Sequence, residues 1–249
     1  MLSAGTLALF IIIAFMGGTI LGLTGFGFAL LVAPLFFLFL PPATTVPIIN
    51  IISVVLSILL LSNTFRKIQF KKVSFLLTGG LIGLPFGIMI LVFVPAHVLK
   101  IAVGIIIALF AFLNYLGFKL KTRHERTVST ITGASGGLLY GSIGIPGPPV
   151  ILFLVNQECD KNALRANISA FLAIIGTVSI PGYFIGNLLT PDVIKYVLIF
   201  IIPAVLGLMT GTKLVHKVNE VLFKKILLLL LIVTSILSIL SGFGLIGDR

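Results

Sequence analysis

Long stretches of apolar residues alternate along this chain with short stretches that carry most of its charge. The apolar runs approach about 20 residues, the length that an α-helix needs to cross the hydrocarbon core of a bilayer. In order, they cover residues 2–23, a short run to 40 that Pro41 and Pro42 close, about 46–61, 73–93, 98–118, about 128–143, a short 150–155, 163–185, 193–209 and 221–240. The pattern predicts an all-α polytopic membrane protein with eight to ten membrane segments, six of which are full spans.

Two of the apolar stretches contain a break that an unbroken helix does not tolerate. The first is Thr24-Gly-Phe-Gly27, and the second lies between Gly144 and Pro149, where three prolines remove backbone N–H donors. In hydrocarbon, freed backbone groups persist only where they are buried in protein or line a polar cavity. The sequence therefore predicts glycine-broken re-entrant or partial helices, and the two breaks are candidate binding sites.

Glycines recur at nearly constant offsets between the two parts of the chain. Packing of small residues between membrane helices explains any single pair, but several pairs in the same order indicate an internal repeat. The pairs are Gly18 with Gly137, Gly22 with Gly141 and Gly25 with Gly144 at an offset of 119, and Gly83 with Gly207 and Gly87 with Gly211 at an offset of 124. We interpret the chain as two homologous halves, residues 1–122 and 123–249.

The distribution of basic residues predicts how the halves face. Fourteen of the 17 Lys and Arg residues fall in the stretches 66–72, 119–126, 157–165 and 213–225, which marks these stretches as cytoplasmic. The other three basic residues, Lys100, Lys195 and Arg249, are assigned to the outer side of the membrane. Equivalent segments then cross in opposite directions, which is the inverted-repeat arrangement of secondary transporters. Both termini are predicted to lie outside a cell (inner) membrane, and a homodimer is compatible with the sequence.

Charged and reactive residues exclude several classes of function. All six acidic residues and all three histidines fall at predicted loop or terminal positions, which argues against a cation substrate and a side-chain proton relay. The single cysteine, Cys159, excludes an intrachain disulfide and a CxxC pair. We predict no metal, no cofactor and no nucleic-acid partner. A small anion suits helix N-termini, because their free N–H groups and positive dipole ends need no buried charge.

The predicted substrate site combines the two breaks with polar residues near them. Asn50 and Asn167 are expected to open the helices that follow the breaks, at matching positions in the two halves. Interhelical hydrogen bonding is the alternative role for the two asparagines, and a position at the membrane interface is the alternative for the arginine. The candidate residues are Thr24, Gly25, Phe26, Gly27, Asn50, Ser142, Gly144, Pro146, Gly147, Arg165 and Asn167.

The stretches GTILGLTGFGFALLVAP (residues 18–34) and GLLYGSIGIPGPPV (residues 137–150) resemble the paired glycine-rich motifs of the sulfite exporter TauE/SafE family. The resemblance extends over nearly the whole chain. It implies transport, mainly export, of small sulfur oxyanions or organosulfonates, such as sulfite or sulfoacetate. The family's second motif usually continues with more glycine, where this chain has Pro146, Pro148 and Pro149, and these prolines are expected to stiffen the break and to affect substrate choice.

The predicted mechanism is alternating access around an anion site at the membrane midplane. One alternative is an anion channel with a constriction at the same breaks. A weaker alternative is an intramembrane enzyme that uses Ser135, since Gly133-Ala-Ser-Gly136 resembles a rhomboid-type protease motif. That chemistry needs a base within hydrogen-bond reach of the serine. The downstream His216 stands among basic loop residues, so we predict a protein that is not an enzyme.

Overall fold

A computed structural model of the chain describes residues 4–116, 125–155, 161–215 and 232–246, and every regular element in these ranges is a helix. Ten α-helices and one short 3-10 helix, Phe65–Lys67, follow each other along the described chain. The α-helices are α1 (Ala4–Thr24), α2 (Phe28–Phe36), α3 (Pro42–Thr64), α4 (Phe70–Phe93), α5 (Ala96–Tyr115), α6 (Glu125–Ile143), α7 (Gly147–Val155), α8 (Lys161–Ile185), α9 (Pro191–Leu214) and α10 (Ile232–Gly242).

Six of the described helices, α1, α3, α4, α5, α8 and α9, are long and apolar enough to cross a bilayer. Their outer faces carry exposed large apolar side chains, such as Phe86 on α4 and Ile202 on α9, which suit contact with lipid. The prediction of an all-helical polytopic membrane protein is confirmed. Most of the predicted segment 221–240 lies outside the described residues, and its last part belongs to α10.

One predicted helix boundary is wrong. We expected the third segment to begin near residue 46 and Pro41 and Pro42 to close the preceding run, but α3 begins at Pro42. Proline is favoured in the first turn of a helix, because its fixed φ suits the helix and its missing N–H would have no helical partner there. Asn50 therefore lies inside α3, eight residues after its first residue, instead of opening the helix.

The chain breaks at both positions indicated by the sequence. After α1, Gly25 and Gly27 take φ values of 84° and 100°, and after α6, Gly144 takes a φ of 77°. These left-handed conformations are accessible to glycine at little cost. Each break leads into a helix of nine residues, α2 or α7. At 1.5 Å per residue, such a helix reaches about half the 30 Å thickness of the hydrocarbon core.

Two helix pairs pack backbone to backbone, α1 with α9 and α4 with α6. A Cβ atom added at Gly18 would lie 2.0 Å from the carbonyl oxygen of Ala204, and one added at Gly137 would lie 2.0 Å from that of Gly80. The glycines therefore permit an approach that no larger residue allows. Each pair joins a helix that precedes the central basic stretch to one that follows it.

The remaining helices surround the breaks. α3 packs against α8, and α5 contacts both short helices, α2 and α7. α5 also meets α10, where the Ser238 hydroxyl donates to the Lys100 carbonyl at 2.8 Å. The Lys100 ammonium donates to the Ser241 hydroxyl at 3.1 Å, and that hydroxyl donates to the Phe37 carbonyl at 3.4 Å. A cation thus lies near the C-terminal end of α2, where it is electrostatically favourable.

Candidate functional site

A small cavity lies between the two breaks and is lined by residues from both of them. It has room for about one water molecule. The lining residues are Leu21, Phe26, Gly27, Phe28, Ala29, Leu30, Ser53, Tyr140, Gly144, Pro146, Ile151 and Leu172. Four of the predicted site residues thus meet around one space: Phe26 and Gly27 from the first break, and Gly144 and Pro146 from the second, more than 110 residues further along the chain.

The first break presents backbone donors to this cavity. The first helical hydrogen bond of α2 runs from the Leu31 N–H to the Gly27 carbonyl at 3.2 Å. The N–H groups of Phe28, Ala29 and Leu30 precede that bond, so they have no acceptor within α2. These three residues line the cavity. The positive end of the α2 dipole is therefore directed at the space between the breaks.

Arg165 lies against the first break. Its side chain is only 7% exposed, and its Nη2 donates to the Gly22 carbonyl near the end of α1 at 2.5 Å. A Cβ atom added at Gly25 would lie 2.8 Å from the Arg165 Cα, so the left-handed glycine allows α8 to pass closely. The Arg165 Nε has no hydrogen-bond partner. The guanidinium thus brings a positive charge to the negative end of α1 and keeps unused donor capacity.

Asn50 links the second break to two other helices. Its Nδ2 donates to the Tyr140 carbonyl at 3.0 Å and to the Tyr183 hydroxyl at 2.5 Å. Because a carbonyl can only accept, this contact fixes which amide atom is the nitrogen. The Oδ1 has no hydrogen-bond partner, and a Cβ atom added at Gly144 would lie 3.2 Å from it. Asn50 therefore holds the end of α6 and leaves a free acceptor beside Gly144.

Three other predicted residues use their side chains away from the cavity. The Thr24 hydroxyl donates to the Ile20 carbonyl at 2.8 Å and accepts from the Phe26 N–H at 3.1 Å, which stabilises the turn after α1. The Ser142 hydroxyl donates to the Leu138 carbonyl of its own helix at 2.8 Å. The Asn167 Oδ1 accepts from the Gln69 N–H at 2.8 Å, so Asn167 connects α8 to the beginning of α4.

The position of the remaining predicted residues follows from the helix ends. Gly25 lies in the first break but does not line the cavity, and Gly147 is the first residue of α7. The sequence did not single out Ser53, Leu172 or Tyr183. Ser53 and Leu172 line the cavity, and Tyr183 is completely buried. A tyrosine in an apolar helix is a signal for such a role, because a buried hydroxyl needs a hydrogen-bond partner.

His216, the base considered for chemistry at Ser135, lies outside the described residues. The Ser135 hydroxyl donates to the Thr132 carbonyl of its own helix at 2.8 Å. His97 lies in the first turn of α5. Across the described ranges, no three His, Cys, Asp or Glu side chains are grouped as a metal site would require.

Comparison with known proteins agrees with the resemblance seen in the sequence. The family model of the sulfite exporter TauE/SafE family matches residues 10–238 of the chain. No curated protein and no solved structure matches this chain. The match covers nearly all of the described helices, and it agrees with the membrane-spanning helices that make this a multi-pass membrane protein. The chain therefore belongs to the sulfite exporter TauE/SafE family, a family of transporters.

Proposed function

We propose that this protein is a secondary transporter that exports small sulfur-containing oxyanions, such as sulfite or organosulfonates, across the cell (inner) membrane. The substrate would bind in the cavity between the two helix breaks. The observation that carries this proposal is that both breaks, from distant parts of the chain, line one space. N–H groups without an acceptor in α2 and the buried charge of Arg165 make this space favourable for an anion.

The proposal includes two homologous halves of inverted topology, residues 1–122 and 123–249. The glycine contacts support it, because exchanging the halves turns one tight helix contact into the other. Gly18 approaches Ala204, and the equivalent positions are Gly137 (18 + 119) and Gly80 (204 − 124), which approach each other at the same 2.0 Å. Exchanging the halves relates three further contacts in the same way. The contact of Gly22 with Leu208 corresponds to that of Gly141 with Leu84, Gly207 with Phe15 to Gly83 with Ala134, and Gly211 with Thr19 to Gly87 with Leu138.

Transport requires a change of conformation. Sulfite has four heavy atoms, whereas the cavity has room for about one water molecule. Moving one whole half against the other would separate α1 from α9 and α4 from α6, whose backbones are in direct contact. We therefore propose that each of these pairs moves as a rigid unit, and that alternating access opens the cavity between them.

The membrane potential supplies a driving force for export. With a negative interior, outward movement of one negative charge is favoured by about 2.3 kcal/mol per 100 mV. The described helices place no acidic residue at the cavity that could couple transport to a cation. Export of an anion therefore needs no coupling ion.

Flux measurements in liposomes test this function. Purified protein reconstituted into liposomes should give saturable uptake of radiolabelled sulfite, and unlabelled sulfite inside the vesicles should accelerate it by counterflow. Ser135→Ala should transport like the wild type, because Ser135 is not part of the site. Flux that rises linearly with sulfite concentration and shows no counterflow would instead identify an anion channel, and an absence of sulfite flux would contradict the proposal.

A further inference from the structure

We infer that the anion site is one-sided: the oxyanion binds the N-terminal turn of α2 together with Ser53, and the second break carries none of its charge. This inference rests on the proposed function, because it concerns the same cavity. A symmetric site would hold a dianion between two equal helix ends. A one-sided site instead favours an anion with a single charged head, whose remainder faces apolar residues.

The two short helices differ in the donors that they offer. The offset of 119 that relates the glycines of the breaks also relates Phe28, Ala29 and Leu30 to residues 147, 148 and 149. The first three residues have N–H groups without an acceptor in α2. Of the second three, only Gly147 has an N–H, because the other two are prolines. The start of α7 therefore offers one donor where α2 offers three.

The side chains next to the two breaks also differ in charge, and the positive charge lies at the first break. At the offset of 119, Arg165 corresponds to Val46. Arg165 packs on Gly25 and brings a positive charge to the end of α1. Val46 occupies the equivalent place, 3.7 Å from a Cβ atom added at Gly144. The second break thus lacks a charge, and the unpartnered Asn50 Oδ1 beside it would repel the oxygens of an anion.

Ser53 supplies an independent indication of a ligand. Its side chain is 3% exposed and lines the cavity, so its hydroxyl is placed where a bound oxyanion could contact it. The equivalent position (53 + 119) is Leu172, which also lines the cavity. A buried hydroxyl normally has a hydrogen-bond partner, and an oxyanion bound in the cavity would provide one for Ser53. Leu172, together with Pro146 and Ile151, leaves an apolar wall for the rest of the substrate.

Replacing one backbone donor tests this inference. Leu30→Pro removes an N–H that has no partner in α2, and Leu30→Ala removes the same side chain but keeps the N–H. By calorimetric titration of the purified full chain with methanesulfonate and with sulfite, Leu30→Pro should bind at least roughly tenfold more weakly than Leu30→Ala, the effect of a hydrogen bond to a charged group. The mirror variant Pro149→Ala adds an N–H at the second break and should leave affinity unchanged. Equal affinity of the two Leu30 variants, or tighter binding by Pro149→Ala, would overturn the one-sided site.

A second pair of variants tests the side chain. Ser53→Ala should weaken methanesulfonate binding roughly tenfold. Ser57→Ala is its matched control, since Ser57 lies one turn along α3, is equally buried and does not line the cavity. If wild type binds and both serine variants bind equally well, the one-sided site is wrong while the proposed function stands. If wild type binds neither methanesulfonate nor sulfite, the proposed function fails, and the one-sided site fails with it.

Discussion

Alanine at the two left-handed glycines should destabilise the protein to different degrees. Gly25 and Gly144 have φ values of 84° and 77°, and this conformation costs any residue with a Cβ atom about 1–2 kcal/mol. At Gly144 the nearest atom to an added Cβ is the Asn50 Oδ1 at 3.2 Å, so a small shift accommodates it. At Gly25 the nearest atoms include the Arg165 Cα at 2.8 Å, and a backbone atom does not yield easily.

The expected loss of unfolding free energy differs between the two variants. Overpacking of a close contact costs about 1–3 kcal/mol, so Gly25→Ala should lose about 2–5 kcal/mol and Gly144→Ala about 1–2 kcal/mol. Thermal unfolding in detergent, monitored by size-exclusion chromatography, should rank the proteins as wild type, Gly144→Ala and Gly25→Ala in decreasing stability. Equal midpoints for the two alanine variants would refute the close approach of α8 to the first break.

Three further predictions concern topology and the site. With Cys159 replaced, a cysteine at Lys121 should be protected from impermeant reagents in sealed cells while one at Pro95 is labelled; external labelling at position 121 contradicts the inverted repeat. Gly144→Leu should abolish sulfite flux in a protein that still inserts and extracts normally, because the side chain would fill the cavity; flux near the wild-type level would show that the break serves packing alone. Arg165→Gln should weaken sulfite binding in calorimetric titrations, with a smaller loss at high salt, and Arg165→Lys should recover part of the affinity; unchanged affinity in both variants would exclude a role of this charge.

The breaks were predictable from the sequence because they follow from local chemistry. Glycine and proline restrict the backbone at their own positions, so runs containing Gly25, Gly27 and Gly144 indicate where a membrane helix stops. The paired glycines could also be recognised in the sequence, because they recur at nearly constant offsets. Their contacts, in contrast, join helices that are far apart in the chain, and only the folded structure shows that the partners are main-chain carbonyls.

The roles of the polar side chains could not be predicted, because their partners lie on other helices. Asn50 and Tyr183 are 133 residues apart and meet only when α3 packs against α8. Asn50 and Asn167 looked equivalent in the sequence. In the structure, Asn50 holds the end of α6, whereas Asn167 accepts a hydrogen bond from the Gln69 N–H. Ser53 gave no signal, since a single serine in an apolar helix is compatible with packing of any kind.

Location of a bound anion tests the central claim most directly. Selenite resembles sulfite in shape and charge, and its selenium atom gives a strong anomalous X-ray signal. Crystals of the protein grown with selenite should show one anomalous peak in the cavity, next to the N–H groups of Phe28, Ala29 and Leu30 and the Ser53 hydroxyl. A peak on the surface of the protein, or a cavity without a peak although selenite competes with sulfite for transport, would contradict an anion site between the two helix breaks.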